Sequence, residues 1–436
     1  MKSSVKVDSQ ESTISGTDKK SHRMNFRSSP SAALVLLTLV FGLIQGCTLF
    51  APQPGLHLLS ESEVASLDLE DDQDFERLDE AIQQSLRYYA RLPDGRTFNY
   101  AGTKYSAREM ERSMRLLLEI LEQYKGEKRL AEIRSKFQFY ESRNPEGRAF
   151  FTGYYEPVLP GSMELTERYT SPLYAIPNDL ITVNLSRFSG YWGKKKLLGQ
   201  LQGRSLVPFD DRETIVYRHS LMNRAAPLAY LENDIEVFFL QIQGSGLVQL
   251  DNGTRLRLNY AGQNGHRYRA IGRLLWDQIP KEQMSLRSLK DYLYSHPDEV
   301  RKILSYNKSY TFFRQVEEGP LGNIEVPLTP GRSVAMDRLL IPKGGLAYVE
   351  TTYLEEGEEM LNPKPFRRFM VVQDTGGAIR GYGRADIFFG HGLEAEKLAG
   401  PMKQHGRIVL VVAKPEWIKP HGEDMTTAWN AHSLGK

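Results

Sequence analysis

The sequence predicts a mainly β protein, with helices near its N-terminal end and a middle section inserted into one β-rich body. Three observations carry this. Apolar residues recur at helical spacing at Phe75, Leu78, Ile82, Leu86 and Tyr89. From Ala149 the texture turns to short apolar or alternating runs broken by Gly, Pro, Asn and Asp. The same texture returns after residue 314, beyond a helix-rich stretch. A β-rich block near residues 149–180 and another from 315 to the end can then form one body around the middle.

The elements follow in order. Lys2, Lys6, Lys19, Lys20, Arg23 and Arg27 make a basic leader, followed by the apolar run "AALVLLTLVFGLI" at residues 32–44. That run is short for a bilayer span but suits a secretory signal core. It ends at "IQGC", and Cys47 is the only cysteine, so no internal disulfide can form. We read residues 1–46 as a signal peptide, of the lipoprotein kind because "IQGC" resembles a lipobox. Residues 47–73, rich in Pro, Ser, Asp and Glu, read as a tether. Residues 74–180 are assigned to the N-terminal part of the main body, 181–314 to the inserted domain, and 315–436 to the C-terminal part.

Within the first body, a second helix opens at Ser106 with Glu109 three residues on, a capping box. Met110, Met114, Leu117, Leu118 and Leu121 line it, and Gly126 can end it. In "LENDIEVFFLQIQGSG" an apolar strand at 235–242 is expected to run into a glycine loop. "LVQLDNGTRLRL" reads as a hairpin about Asp251-Asn252-Gly253. Helices are expected near 267–278, 285–295 and 298–306, with Pro297 as a start signal. "GLAYVE", "RRFMVVQD" and "RIVLVVAK" read as strands.

Composition narrows the chemistry. The 436 residues carry 56 Lys and Arg against 54 Asp and Glu, a net charge of +2, with no basic stripe for nucleic acid. G-x-S-x-G, H-E-x-x-H, C-x-x-C and phosphate-loop motifs are absent. Asp374, Asp386, His391 and His405 could in principle ligate a metal, but their spacing matches no metal motif. His266 reads as a helix cap or a surface residue.

The loops hold more. "VVQDTGGAIRGYGRADIFFGHG", residues 371–392, sets Asp374 and Asp386 among glycines and aromatics. Burying either charge is costly unless it is paired or neutralised. An aspartate before glycine can simply cap a turn. A carboxyl kept protonated there could instead donate a proton. "FFTGYYEP" sets Thr152 before Gly153, Tyr154 and Tyr155, and "LQIQGSG" sets Gln241, Gln243 and Ser245 about glycines. Aromatic faces, amides and hydroxyls in a concavity suit a sugar. Tyr154 and Tyr155 as core, with Gln243 at a strand edge, fit the same residues.

Taken together, "FTGYYEPV", "SPLYAIP", "QIQGSG", "YAGQNGHRYRAIG", "SYTFFR", "GRSVAMDR", "VVQDTGGAIRGYGRADIFFGHG" and "HGRIVLVV" resemble the membrane-bound lytic murein transglycosylase A family over about residues 148–413. The resemblance implies a double-psi β-barrel domain, a smaller inserted β-rich domain, and a groove between them for a peptidoglycan glycan strand. It implies cleavage between N-acetylmuramic acid and N-acetylglucosamine without water, leaving a 1,6-anhydro ring, and no metal or organic cofactor. Asp386 matches the catalytic acid. Asp374 and Asp337 match supporting aspartates. Thr152, Tyr154, Gln243, Gly244, Ser245, Gly376 and Gly377 fall in the substrate-binding blocks. Asp386, followed by Ile387, Phe388 and Phe389, is expected to be held neutral in apolar surroundings. Asp374 suits a charged, hydrogen-bonded turn or an orienting partner. "IQGC" resembles a lipobox, although Gln45 replaces its usual small residue. It implies a lipid on Cys47, attachment on the periplasmic side of the outer membrane, and room for cell-wall proteins as partners. A two-carboxylate glycoside hydrolase, a non-catalytic wall-binding lipoprotein and a metal-dependent amidase are the competing classes.

Overall fold

A computed structural model describes residues 53–193, 195–280, 283–354 and 363–419. Cys47 and its leader lie outside the described residues. The first part contributes strands β1 (Gly55–Leu58), β2 (Thr97–Tyr100), β3 (Thr103–Ser106), β4 (Phe137–Arg143) and β5 (Ala149–Glu156). The middle holds β6 (Val158–Ser162), β7 (Ser171–Tyr174), β8 (Ile181–Asn184), β9 (Lys196–Gln202), β10 (Ser205–Pro208), β11 (Pro227–Leu231), β12 (Ser245–Leu250), β13 (Arg255–Gln263) and β14 (Thr311–Gln315). The last part holds β15 (Ser333–Met336), β16 (Leu346–Tyr353), β17 (Lys364–Asp374), β18 (Arg384–His391) and β19 (Lys403–Ala413).

β19, β16, β17, β15, β18 and β5 follow one another in hydrogen-bonding order, and β5 returns to β19, which closes a barrel. This is the barrel, built from both ends of the chain, that the resemblance implied. The run Ile408–Ala413 is buried at every position, because one face fills the barrel and the other lies under helices. Helix Leu78–Ala90 covers β17, where Gln373 Nε2 donates to Ala81 O at 2.7 Å. Helix Ala107–Gln123 has the expected capping box between Ser106 and Glu109, and its Ser113 Oγ accepts from Ala413 N at 2.8 Å. No helix among the described residues is long and apolar enough to cross a membrane.

Several boundaries differ from expectation. The helix from Ser106 ends at Gln123, and Gly126 opens the next one, Gly126–Lys136. From residue 53 the supposed tether is folded onto the barrel. β1 pairs with β4, Leu67 and Leu69 are buried, and Asp71 forms a fully buried ion pair with Arg332 at 2.6 Å. A polar, aperiodic segment gave no sign of this, because its partners lie some 260 residues away in a strand register set by the fold. The inserted domain also starts earlier than residue 181. β6 pairs in parallel with β12 and β7 antiparallel with β11, so both belong to the insert's sheet.

Residues 235–242 are helical within Asp234–Gln243, not a strand. Asn233 Oδ1 caps it by accepting from Ile235 N and Glu236 N, both at 3.1 Å, and Gly244 stops it at φ 84°. Apolar residues on all sides made it look like a buried strand, and it is a buried helix. Near 267–278 only a short 3₁₀ turn forms, Ile271–Leu275. The hairpin at Asp251–Gly253 and helices Leu286–Ser295 and Pro297–Tyr306 stand as expected.

Two chain crossings join barrel and insert, at Glu156–Val158 and at residues 316–332. β13 ties both. Arg257 Nη1 donates to Glu156 Oε2 at 2.5 Å and to Gly319 O at 2.7 Å. Asn259 exchanges two hydrogen bonds with the backbone of Leu321.

Candidate active site

A cleft of about 420 Å³ runs between barrel and insert. Its barrel wall carries Tyr154, Asp374, Gly376, Gly377 and Asp386, and its insert wall carries Gln241, Gln243, Gly244, Ser245, Tyr260 and Gln263. Strand register gathers the chemistry. Asp386 on β18 lies opposite Thr152 on β5 and Ala335 on β15, and Ala335 lies opposite Asp374 on β17.

Side chains alternate along β18. Ala385 and Ile387 are buried in the barrel core, while Arg384 and Asp386 share the other face. Of the apolar neighbours expected around Asp386, Ile387 points away into the core, while Phe388, two residues on along the same face, is buried and packs on Tyr154. A guanidinium and a hydroxyl stand beside the carboxyl as well. Thr152 Oγ1 donates to Asp386 Oδ1 at 2.6 Å and accepts from Arg384 Nη2 at 2.7 Å. Asp386 Oδ2 accepts no hydrogen bond from the described residues. Burial raises the Asp386 carboxyl above its ordinary value, against the pull of Arg384 and Thr152.

Asp374 has the donors that a polar turn should supply. Tyr154 Oη donates to Oδ2 at 2.8 Å and Asn323 N to Oδ1 at 2.9 Å. Burial nevertheless outweighs them, with Asp386 adding like-charge repulsion, and pushes Asp374 up to about 6. The Tyr154 hydroxyl is itself raised well above its ordinary range by burial, so it stays a donor.

Asp337 does not reach the cleft lining. Its carboxylate accepts from Leu339 N at 3.0 Å and from Gly381 N at 2.9 Å. It thus pins the glycine loop that follows Asp374. Gln243 Oε1 accepts from Tyr155 N at 3.2 Å, joining the insert's helix to β5. Gly153 permits helix Gly392–Ala399 to lie on β5, since a Cβ there would sit 2.7 Å from Ala399 Cα. Tyr155 is core, packed on Ala395 and Ala399. Ser245 is buried at the cleft wall. Gln241 Oε1 and Thr375 Oγ1, both of cleft-lining residues, are buried with no hydrogen-bond partner among the described residues. Such atoms are costly to leave unpaired.

The four residues considered for a metal do not converge. His391 is exposed, and His405 packs on Phe150 with its Nδ1 3.3 Å from Ala149 O. No group of three His, Cys, Asp or Glu among the described residues is placed to hold a metal ion. Sequence reasoning missed Arg384 and Asn323. Arg384 was readable, because residues i and i+2 of a strand share a face. Asn323, on the return crossing, had no local signal.

Residues 150–314 match the family described as the MltA specific insert domain, and residues 332–412 match the 3D domain. The chain is 31% identical over 283 residues to the membrane-bound lytic murein transglycosylase A of Escherichia coli K12, covering 63% of this chain and 68% of that one. It is 29% identical over 268 residues to the Vibrio cholerae protein of the same name, covering 60% and 65%. Among solved structures it is similar to the membrane-bound lytic murein transglycosylase from Agrobacterium tumefaciens, with a TM-score of 0.68 at 27% identity over 82% of this chain and 98% of that one. It is also similar to the E. coli protein crystallised with bound chitohexaose, with a TM-score of 0.63 at 25% identity over 83% and 95%.

Proposed function

The chain belongs to the membrane-bound lytic murein transglycosylase A family, and from that premise we propose that Asp386 alone serves as acid and then base. The protein is an enzyme, a peptidoglycan lytic transglycosylase. The observation that supports the assignment is the unequal engagement of the two aspartates. Both oxygens of Asp374 are occupied by Tyr154 and Asn323, whereas Asp386 is held through Oδ1 and keeps Oδ2 for substrate.

In this reading the glycan lies along the cleft, as chitohexaose suggests by its presence in the related structure. Asp386 gives its proton to the oxygen linking muramic C1 to glucosamine C4, and the C1–O bond breaks. The muramic C6 hydroxyl closes on C1, and its proton passes to the Asp386 carboxylate, which restores the acid. No water enters the products. The nucleophile is part of the substrate, so proximity replaces a second carboxylate. Burial favours the protonated form of the acid. Thr152 and Arg384 stabilise the carboxylate formed when the proton leaves. Asp374 and Tyr154 form the adjoining wall. Asp337 supports the loop bearing Gly376 and Gly377. Gln243, Gly244 and Ser245 form the facing wall.

Mass spectrometry of digested murein tests this. Anhydromuramic ends are expected. Reducing ends would instead assign a second catalytic role to Asp374, as in a two-carboxylate hydrolase.

The protein is membrane-associated, as its family is. We propose that Cys47 carries the lipid and holds it on the periplasmic side of the outer membrane. The support is the apolar run ending at Gly46-Cys47. A Cys47→Ser chain should take up no labelled acyl group, and equal labelling would sink the assignment.

A further inference from the structure

Strands β8, β9 and β10 form a three-stranded sheet separate from the insert's six-stranded sheet. Its inner face is seated. Gly265 lies close beneath Leu198, where a Cβ would sit 2.8 Å from the leucine Cβ, and Gln200 Nε2 donates to Asp210 at 2.8 Å. By strand alternation the other face looks outward. Leu197 is 51% exposed and Leu201 63%, and Leu206 lies opposite Leu201.

The loop between β8 and β9 carries three aromatics, with Phe188 74%, Tyr191 87% and Trp192 43% exposed. They are not there for want of order. Leu185 N donates to Lys195 O at 3.0 Å, Gly193 N to Gly190 O at 3.1 Å, and Tyr191 N to Ser189 Oγ at 3.2 Å. The rings are thus presented to solvent from a hydrogen-bonded loop. Charge is equally one-sided. Between residues 180 and 209 the sequence holds Arg187, Lys194, Lys195, Lys196 and Arg204 and no Asp or Glu.

We propose that this small sheet and its aromatic loop dock on an anionic lipid headgroup layer. Amphipathic rings and basic side chains together are the composition that settles at a bilayer interface. A glycan could stack on Phe188, Tyr191 or Trp192, but it offers nothing to the aliphatic Leu197 and Leu201 or to the basic side chains, whereas an anionic headgroup–acyl boundary takes all of them. The charge complements acidic phospholipid. The inference goes beyond the transglycosylase reading. It adds a second attachment that fixes how the cleft, lined by the same insert, faces the membrane.

Trp192 is the reporter. Full-length protein is mixed with vesicles of phosphatidylethanolamine and brominated-chain phosphatidylglycerol, and a W192F chain provides the spectrum of the other tryptophans. The Trp192 component should move to the blue and be quenched, and added salt should reverse this. Pure phosphatidylcholine should give no shift. K195E/K196E should need roughly tenfold or more lipid for the same change, while its turnover of solubilised murein stays normal. Because only Trp192 is read, anchoring elsewhere in the chain cannot mimic the signal. An unchanged Trp192 spectrum on the acidic vesicles would overturn the proposal. So would equal response to phosphatidylcholine, or a shift produced only by isolated murein or by another protein. None of these outcomes bears on Asp386.

Discussion

Thr152 stands between Arg384 and Asp386, accepting a hydrogen bond from one and donating to the other. Because the Arg384 guanidinium can only donate, the Thr152 hydroxyl proton is free to point at the carboxylate. A fixed cation is thereby passed, through one hydroxyl, to the group that must become negative during catalysis.

Removing either support should raise the Asp386 pKa further, since both oppose the effect of burial. Activity of a general acid falls as pH rises through its pKa. The alkaline limb of the pH–rate profile should therefore move to higher pH in Arg384→Gln and Thr152→Val. The plateau rate should fall, because the carboxylate is less stabilised. An Arg384→Lys chain should recover part of both changes. Limbs that stay in place in both variants would remove Arg384 and Thr152 from the mechanism.

Asp386→Asn keeps shape but has no carboxylic proton. General acid–base groups contribute about 100- to 10,000-fold, and one group here serves both steps, so a loss at or above the top of that range is expected. Thermal unfolding should be little changed. A folded Asp386→Asn protein releasing anhydro-muropeptides near the wild-type rate would transfer the role to Asp374.

Asp374 offers a stability test with a defined sign. Its folded pKa lies near 6, above the ordinary 3.8. A raised carboxyl binds its proton more tightly when folded, so its contribution to stability is present at low pH and is lost as pH rises from 3.8 to about 6. Asp374→Asn removes this loss. Its melting temperature should gain on that of wild type across the same interval, whatever the offset at low pH. Parallel curves would show that the carboxyl is not raised.

Arg332 and Asp71 are both fully buried and joined at 2.6 and 2.9 Å, and Asp71 also accepts from Phe369 N at 3.0 Å. Breaking one member strands the other. Arg332→Met should cost about 3–5 kcal/mol in chemical denaturation. A change below about 1 kcal/mol would mean that the N-terminal segment is not clamped by this pair.

Much of the barrel was legible locally. The continuous apolar runs of β17 and β19, the Ser106 capping box and the Asp251–Gly253 hairpin are each decided by residues a few positions apart. The blocks around Thr152, Gln243 and Asp386 could likewise be picked out as strings, and the cleft brings members of all three together. Illegible were the helix at Asp234–Gln243, the packed segment around Asp71, and the true start of the insert. A buried helix and a buried strand are both simply apolar, and a polar residue shows no sign of a distant ion partner.

Residue types were settled in the primary structure: aspartates without a cysteine nucleophile or a metal motif, set on glycine-bearing loops. Tertiary structure alone decided what each aspartate faces. Strand alternation turned Ile387 into the core and Arg384 toward Asp386, and parallel pairing of β18 with β5 brought Thr152 to the same carboxylate across 234 positions of chain. Hydrogen bonding and burial depend on neighbours in space, and strand register, which sets those neighbours, is a property of the whole barrel.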